Sequence, residues 1–423
     1  MELLQQVRVI DPTQEIDRLS DVLIENGKIK QIGDRLTDYP TEAQILSGQN
    51  LVLGTGLVDL YSHSGEPGNE ARETLLALAQ SAAAGGFTQV GILPDTLPRI
   101  DNAEILAAVK QKSSYLTNDD RNKPVSQLSF WGAVSHVTDT KQMSELGELK
   151  AGVIGFADRY NLSDLNLFRQ VLEYVQPWQK PMAIALNCNE LAGKGVVREG
   201  ITSICYGMLG NPAFSEAAII AAVLEIVAEI PTPVHIMRVS TKRGVELIAD
   251  AKARGVTITA STTWMHLLWN DDAVGSYDPN LRLEPPLGDK KDQAALITGV
   301  KQGIIDAIAI DHQAYTYEEK TVAFALAPPG VIGLELALPL LWQGLVETGK
   351  LSALELWQGL SSRPRQCLQQ EPIAIALDDA ANLILFDSQK TWLANQENLK
   401  SSAANTPFYN QQIIGKVIKT WNS

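Results

Sequence analysis

No stretch of this chain approaches the roughly 20 consecutive apolar residues that a membrane-spanning helix needs, so a membrane protein is not expected. The opening Met1-Glu2-Leu3-Leu4-Gln5-Gln6 lacks the basic-then-apolar pattern of a secretory signal, and a soluble cytoplasmic protein is the expectation. Cysteine is scarce. Cys188, Cys205 and Cys367 are too few and too scattered for a disulfide framework or a zinc cluster, and read as ordinary thiols. Basic charge is in deficit: 35 Lys and Arg face 49 Asp and Glu, for a net charge of −14. With an isoelectric point near 4.9, this argues against a nucleic-acid partner. A Gly-rich phosphate loop with a downstream Lys, a Gly-x-Ser-x-Gly elbow and a Cys–His signature are all missing, which removes the commonest nucleotide and covalent-nucleophile readings.

What is present is a large apolar fraction, 45% of 423 residues, enough for a sizeable core. The length suits one barrel of roughly 250–300 residues with a small accessory domain. Short strand patterns open the chain: Val7–Ile10, Asp21–Ile24, and a run after Asn26-Gly27, a dipeptide that favours a tight hairpin. Strand patterns then recur at 57–61, 87–93, 128–135, 152–156, 182–186, 233–239, 256–261 and 305–310, with helical patterns between most of them. In 241–254, Val245, Ile248 and Ala251 keep helical spacing, Ser240 or Thr241 can cap the start, and Gly255 suits the end. Eight such repeats predict a (β/α)8 barrel at 54–371. Residues 331–361 read as helical, and strand-like runs return at 373–377, 382–386 and 413–418. The simplest arrangement joins 1–53 and 372–423 in a small β-sandwich domain built from both termini.

Chemistry concentrates in Gly56–Gly68. An apolar run, Leu57, Val58 and Leu60, gives way to Tyr61, His63 and Glu66 before Pro67-Gly68 breaks the chain. A strand that ends in reactive side chains and a loop is how a barrel delivers residues to one face. This stretch resembles the first-strand motif of the amidohydrolase superfamily, Asp-x-His-x-His, and the longer run of its dihydroorotase branch. Asp59 is kept, Tyr61 stands at the first His, His63 at the second, and Gly65 at the following Arg. Further segments resemble the same family in order: Gly85-Gly86-Phe87-Thr88, Leu93–Pro98, Leu283–Leu287, Asp311-His312 and Asn405–Phe408.

The resemblance implies a barrel of the amidohydrolase type, and reversible closure of carbamoyl aspartate to dihydroorotate in pyrimidine synthesis. It implies one or two zinc ions held by His and carboxylate side chains, with an aspartate moving the proton. Against that pattern this sequence is depleted. His63, Asp158 and Asp311 remain as candidate metal ligands, while Tyr61, Asn187 and Arg238 occupy ligand positions without ligand chemistry. At the positions that meet the anionic substrate, Gly65 replaces a cation, and Asp95 and Glu284 replace neutral amides. The expectation is therefore a dihydroorotase-like protein without metal cofactor or activity. The resemblance extends to metal-free members that are structural partners of aspartate transcarbamoylase, and an oligomer is expected. The rival expectation is an active dihydroorotase or other cyclic amidase with an atypical zinc site, in which Asp311 is catalytic. A binding protein for another ligand, with Arg238, Arg159 and several acids at the barrel mouth, is the third.

His136, His235, His266 and His312 read as structural, and Tyr315 as a packing or hydrogen-bonding residue. Asp158 and Asp311 without a metal need a replacement cation. Arg238 is predicted to lie within hydrogen-bond distance of one or both, with Tyr61 and Asn187 giving neutral hydrogen bonds around it.

Overall fold

The computed structural model describes residues 1–116, 124–136, 142–158, 164–186 and 188–422. Two of the residues singled out above, Arg159 and Asn187, lie outside them. Strands β1 (Glu2–Asp11), β2 (Ile16–Glu25), β3 (Lys28–Gly33), β4 (Gln44–Ser47) and β5 (Leu51–Thr55) come from the N-terminal segment. The β2–β3 hairpin turns at Asn26-Gly27, where φ is +50° and +71°, the left-handed pair such a two-residue turn demands. Chain order then gives β6 (Leu57–Ser62), β7 (Phe87–Ile92), β8 (Gln127–Ala133), β9 (Gly155–Asp158), β10 (Met182–Ala185), the short pair β11 (Val197–Arg198) and β12 (Gly210–Asn211), β13 (Val234–Met237), β14 (Ile258–Thr263) and β15 (Ala307–Ala309). Strands β16 (Leu383–Leu393) and β17 (Gln412–Trp421) end the chain.

Eight of these, in the order β6-β7-β8-β9-β10-β13-β14-β15, form one parallel sheet. The sheet curls back on itself. Just beyond β15, the Asp311 N–H donates to the Tyr61 carbonyl (3.2 Å) and the His63 N–H to the His312 carbonyl (2.8 Å), so the first and last strands meet at the top of a (β/α)8 barrel. All eight strands fall where the sequence pattern predicts them. The fourth starts later than expected, at Gly155, where a side chain would meet the Pro181 carbonyl 2.3 Å away and the Trp131 ring at 2.5 Å.

The barrel interior is a small core of its own. Trp131 and Tyr61 fill one side, and Ala157, Ala183, Ala185, Ala307 and Ala309 leave room for them on the other. A larger core lies between the barrel and its helices. Helix Lys242–Ala253 matches its predicted span, is capped by the Thr241 side chain, and buries Val245, Ile248 and Ala251. The terminal strands form a separate seven-stranded sheet, β17-β16-β5-β1-β2-β3 with β4 alongside β1. Residues 373–377, strand-like in sequence, form no strand. Their backbone is engaged by side chains instead: the Ile375 N–H donates to Asp11 Oδ2 (2.7 Å), and the Thr13 hydroxyl donates to the Ile373 carbonyl (2.8 Å).

Candidate functional site

The C-terminal ends of β6, β7, β9, β13 and β15 carry the residues that sequence reasoning singled out. Arg238 and Asp311, each one or two residues past its strand, both adopt φ in the left-handed region, +59° and +53°. Side-chain-bearing residues hold that conformation only where the surroundings enforce it. Here the result is a pair of opposite charges turned toward each other. Arg238 Nη2 donates to Asp311 Oδ1 at 2.6 Å, and lies 3.0 Å from His63 Nε2. His63 Nδ1 is 2.7 Å from Asp95 Oδ2. One tautomer satisfies the whole set: Nδ1–H donates to Asp95 and Nε2 accepts from the guanidinium.

Below this cluster a hydrogen-bonded chain runs into the barrel. The Arg238 backbone N–H donates to the Tyr61 hydroxyl (3.0 Å), Tyr61 pairs with Ser261 Oγ (2.8 Å), Ser261 with His235 Nε2 (2.8 Å), and His235 Nδ1 with Thr259 Oγ1 (2.9 Å). Donation in that one direction leaves no member unsatisfied. Burial pushes the His235 pKa down to about 3, so it is the neutral imidazole the chain requires. Tyr61 thus serves as a hydrogen-bond relay.

Asp158 does not face Arg238's guanidinium as the sequence-based expectation allowed. A second arginine, Arg99, donates to Asp158 Oδ1 (2.9 Å), and Ser135 donates to Oδ2 (2.7 Å). Arg99 is only 4% exposed. Sequence reasoning missed it, although it directly follows the Leu93–Pro98 segment that resembles a family motif. Its role depends on the β7 loop folding over to β9, which no local pattern encodes.

The electrostatics follow from these pairs. Burial disfavours a charged Asp311, but the Arg238 guanidinium outweighs it and holds the carboxyl well below the usual carboxylate range. Burial also opposes charge on Arg238, and Asp311 more than offsets it, so the guanidinium is held firmly protonated. At the base of the site the Asp59 oxygens accept from Ser62 Oγ (2.5 Å) and the Ile310 N–H (2.8 Å), and burial outweighs these bonds and raises its pKa to about 7.

Among the described residues, no three His, Cys, Asp or Glu side chains converge so as to hold a metal ion. Of the three remaining ligand candidates, His63 and Asp311 share one guanidinium and Asp158 has another. A divalent ion among them would lie against fixed positive charge, which is unfavourable at short range in a partly dry site. These donors therefore do not fit the zinc site that the fold type implies.

Of the altered substrate positions, Asp95 is committed to His63, whereas Glu284 is exposed at the edge of a cavity of about 360 Å³. Arg238, Asp311, His266, Gln313 and Glu284 line it together with apolar side chains. His312 is structural, buried between Glu73 Oε2 (2.9 Å) and the Gly333 N–H (3.2 Å). The Tyr315 hydroxyl donates to the Pro329 carbonyl (3.1 Å), and His136 Nδ1 lies 3.6 Å from Asp101.

A "probable dihydroorotase-like protein" of Synechocystis sp. is 44% identical to this chain over 442 residues, covering 99% of this chain and 98% of its own. The chain belongs to the dihydroorotase family. Its match to a dihydroorotase of Geotalea daltonii is 35% identical over 417 residues, covering 98% of this chain and 96% of that enzyme. No family model matches. Among solved structures, the L-hydantoinase (dihydropyrimidinase) of Arthrobacter aurescens superposes with a TM-score of 0.83 over 100% of this chain and 96% of that one. At 18% identity that likeness shows the fold alone: this dihydroorotase homologue has the amidohydrolase barrel with an accessory sheet drawn from both termini. None of its helices is long and apolar enough to cross a membrane, among the described residues.

Proposed function

We propose that this dihydroorotase homologue has given up metal-dependent hydrolysis and serves as a structural partner of aspartate transcarbamoylase, in an oligomeric cytoplasmic assembly of pyrimidine biosynthesis. One observation carries the loss of chemistry. The Arg238 guanidinium sits between Asp311 and His63, where a base and a metal ligand would have to be free. A base paired this tightly and held ionised is a weak proton acceptor. The partnership rests on the resemblance to metal-free members of the family. It is supported by the apolar surface of the short helix Ile201–Cys205 and the segment after it, where Ile201 is 82%, Ile204 81% and Leu209 64% exposed.

A second reading, a working cyclic amidase with an atypical site, has one observation in its favour: the cavity beside Asp311 is open, and the Asp311 side chain keeps 19% of its surface exposed. One experiment separates them. Purified protein supplied with zinc is assayed with dihydroorotate and with carbamoyl aspartate, and no turnover above background is expected. Steady turnover that Asp311→Ala abolishes would establish the amidase instead. The partnership is tested by affinity capture from the native cell, where aspartate transcarbamoylase should be recovered. A chain that migrates only as a free monomer or self-oligomer would sink that half of the proposal.

A further inference from the structure

A second cavity, of about 280 Å³, lies on the terminal sheet and shares no residue with the one at the barrel mouth. Its floor is one face of β1, β2 and β3. Ile16, Arg18 and Ser20 alternate along β2, so their side chains point the same way, into the cavity. Val9 and Asp11 do the same on β1, where Val9 is paired with Arg18 and Asp11 with Ile16. The segment 373–377, pinned by Asp11 and Thr13 instead of pairing as a strand, brings Ile375 and Leu377 to the same cavity.

Two polar groups of this lining have no partner. Ser20 is 1% exposed, and its hydroxyl makes no hydrogen bond among the described residues. Buried hydroxyls are normally paired, so one without a partner marks a place for an acceptor. Arg18 is exposed and forms no ion pair among the described residues; the acid beside it in the chain, Asp17, is held by Arg8 through two bonds of 2.6 and 2.7 Å. The carboxylate in the lining, Asp11, is met by the backbone N–H groups of Thr13 (2.8 Å), Gln14 (3.1 Å) and Ile375 (2.7 Å). It stands opposite Ile16, about 13 Å along the strand from Ser20.

We propose that this cavity binds a short aliphatic monocarboxylate. The carboxylate sits between Arg18 and Ser20, paired with the guanidinium and accepting from the hydroxyl. The chain lies against Val9, Ile32 and Ile375, where it displaces water from aliphatic side chains. An ammonium on the same chain meets Arg18 and is repelled. An alcohol keeps the apolar contact and loses the charge pairing.

The site lies outside the barrel, so neither the zinc assay nor the affinity capture bears on it. The test uses the intact protein and three probes with one chain: hexanoate, 1-hexanol and hexylamine. Titrations followed by ligand-observed NMR should show saturable hexanoate binding, about tenfold tighter than 1-hexanol, with hexylamine weakest. Arg18→Gln should weaken hexanoate about tenfold and leave 1-hexanol unchanged. Ser20→Ala should also weaken hexanoate about tenfold, the scale of one hydrogen bond to a charged group. It should not lower the melting temperature, because the hydroxyl has no partner to lose in the free protein. No saturable hexanoate binding, hexylamine binding as tightly as hexanoate, or an Arg18→Gln variant with unchanged hexanoate affinity would each overturn the proposal. A Ser20→Ala variant that loses stability and keeps its affinity would do so too, since the hydroxyl would then be structural.

Discussion

A guanidinium and a divalent metal ion both bring positive charge to carboxylates, but they ask different things of their neighbours. Zinc needs lone pairs converging on one point, whereas Arg238 needs acceptors spread around a plane, and Asp311 and His63 Nε2 supply them. The pair should therefore stabilise the fold. Arg238→Met leaves Asp311 partly buried and unpaired, and is expected to lower unfolding free energy by about 2–4 kcal/mol in urea titration. Adding Asp311→Leu should recover most of the loss, and a double variant as unstable as the single one would show that the pair is not the cause. Asp59 gives a pH signature. Its folded pKa near 7 lies above its ordinary value of 3.8, so the folded chain holds a proton that the unfolded chain releases. This contribution is fully present below about pH 4 and is lost as pH rises through about 7, a change of roughly 4 kcal/mol for so buried a group. Asp59→Asn should flatten that part of the stability profile. Urea midpoints at pH 5 and pH 8 test it, and an unchanged difference between them would contradict the assignment.

At the scale of elements, the turn that carries Arg238 is held from outside the barrel. Glu216, on helix Phe214–Glu229, accepts from the backbone N–H of Ser240 (3.1 Å) and Thr241 (3.0 Å) and from both hydroxyls. It ties β13's exit to the start of helix Lys242–Ala253. Glu216→Ala strands two buried N–H groups and should destabilise the protein by about 2–4 kcal/mol, read from the denaturation midpoint. A loss below about 0.5 kcal/mol, the level of an ordinary surface change, would mean that water replaces the carboxylate. Elements were also where the sequence was most legible. Eight strand patterns marked eight barrel strands because all are buried on both faces, and Thr241 and Gly255 marked a helix because caps are local chemistry. The run at 373–377 misled because alternation of small apolar residues also suits an extended segment pinned by side chains.

The whole molecule is expected to stand without metal. A zinc ion that bound only the folded form would add stability by mass action. Here two arginine–carboxylate pairs are built into the chain, Arg238 with Asp311 and Arg99 with Asp158. Treatment with EDTA should leave the melting temperature unchanged, and excess zinc should not raise it. A zinc-dependent rise that Asp311→Ala removes would mean that a metal site persists.

The amino-acid sequence alone determined the family and the eightfold alternation, because those are properties of residue types in a local frame. It also named Arg238 as the incoming cation, since a permanent charge at a ligand position has few places to go. Only the tertiary structure decided which carboxylate received it. Arg238 and Asp311 are 73 residues apart in the chain and Arg99 and Asp158 are 59 apart. Both pairings exist because barrel closure brings strand ends together at one rim, and the distances that select between two nearby carboxylates are set by that closure rather than by any neighbour in sequence.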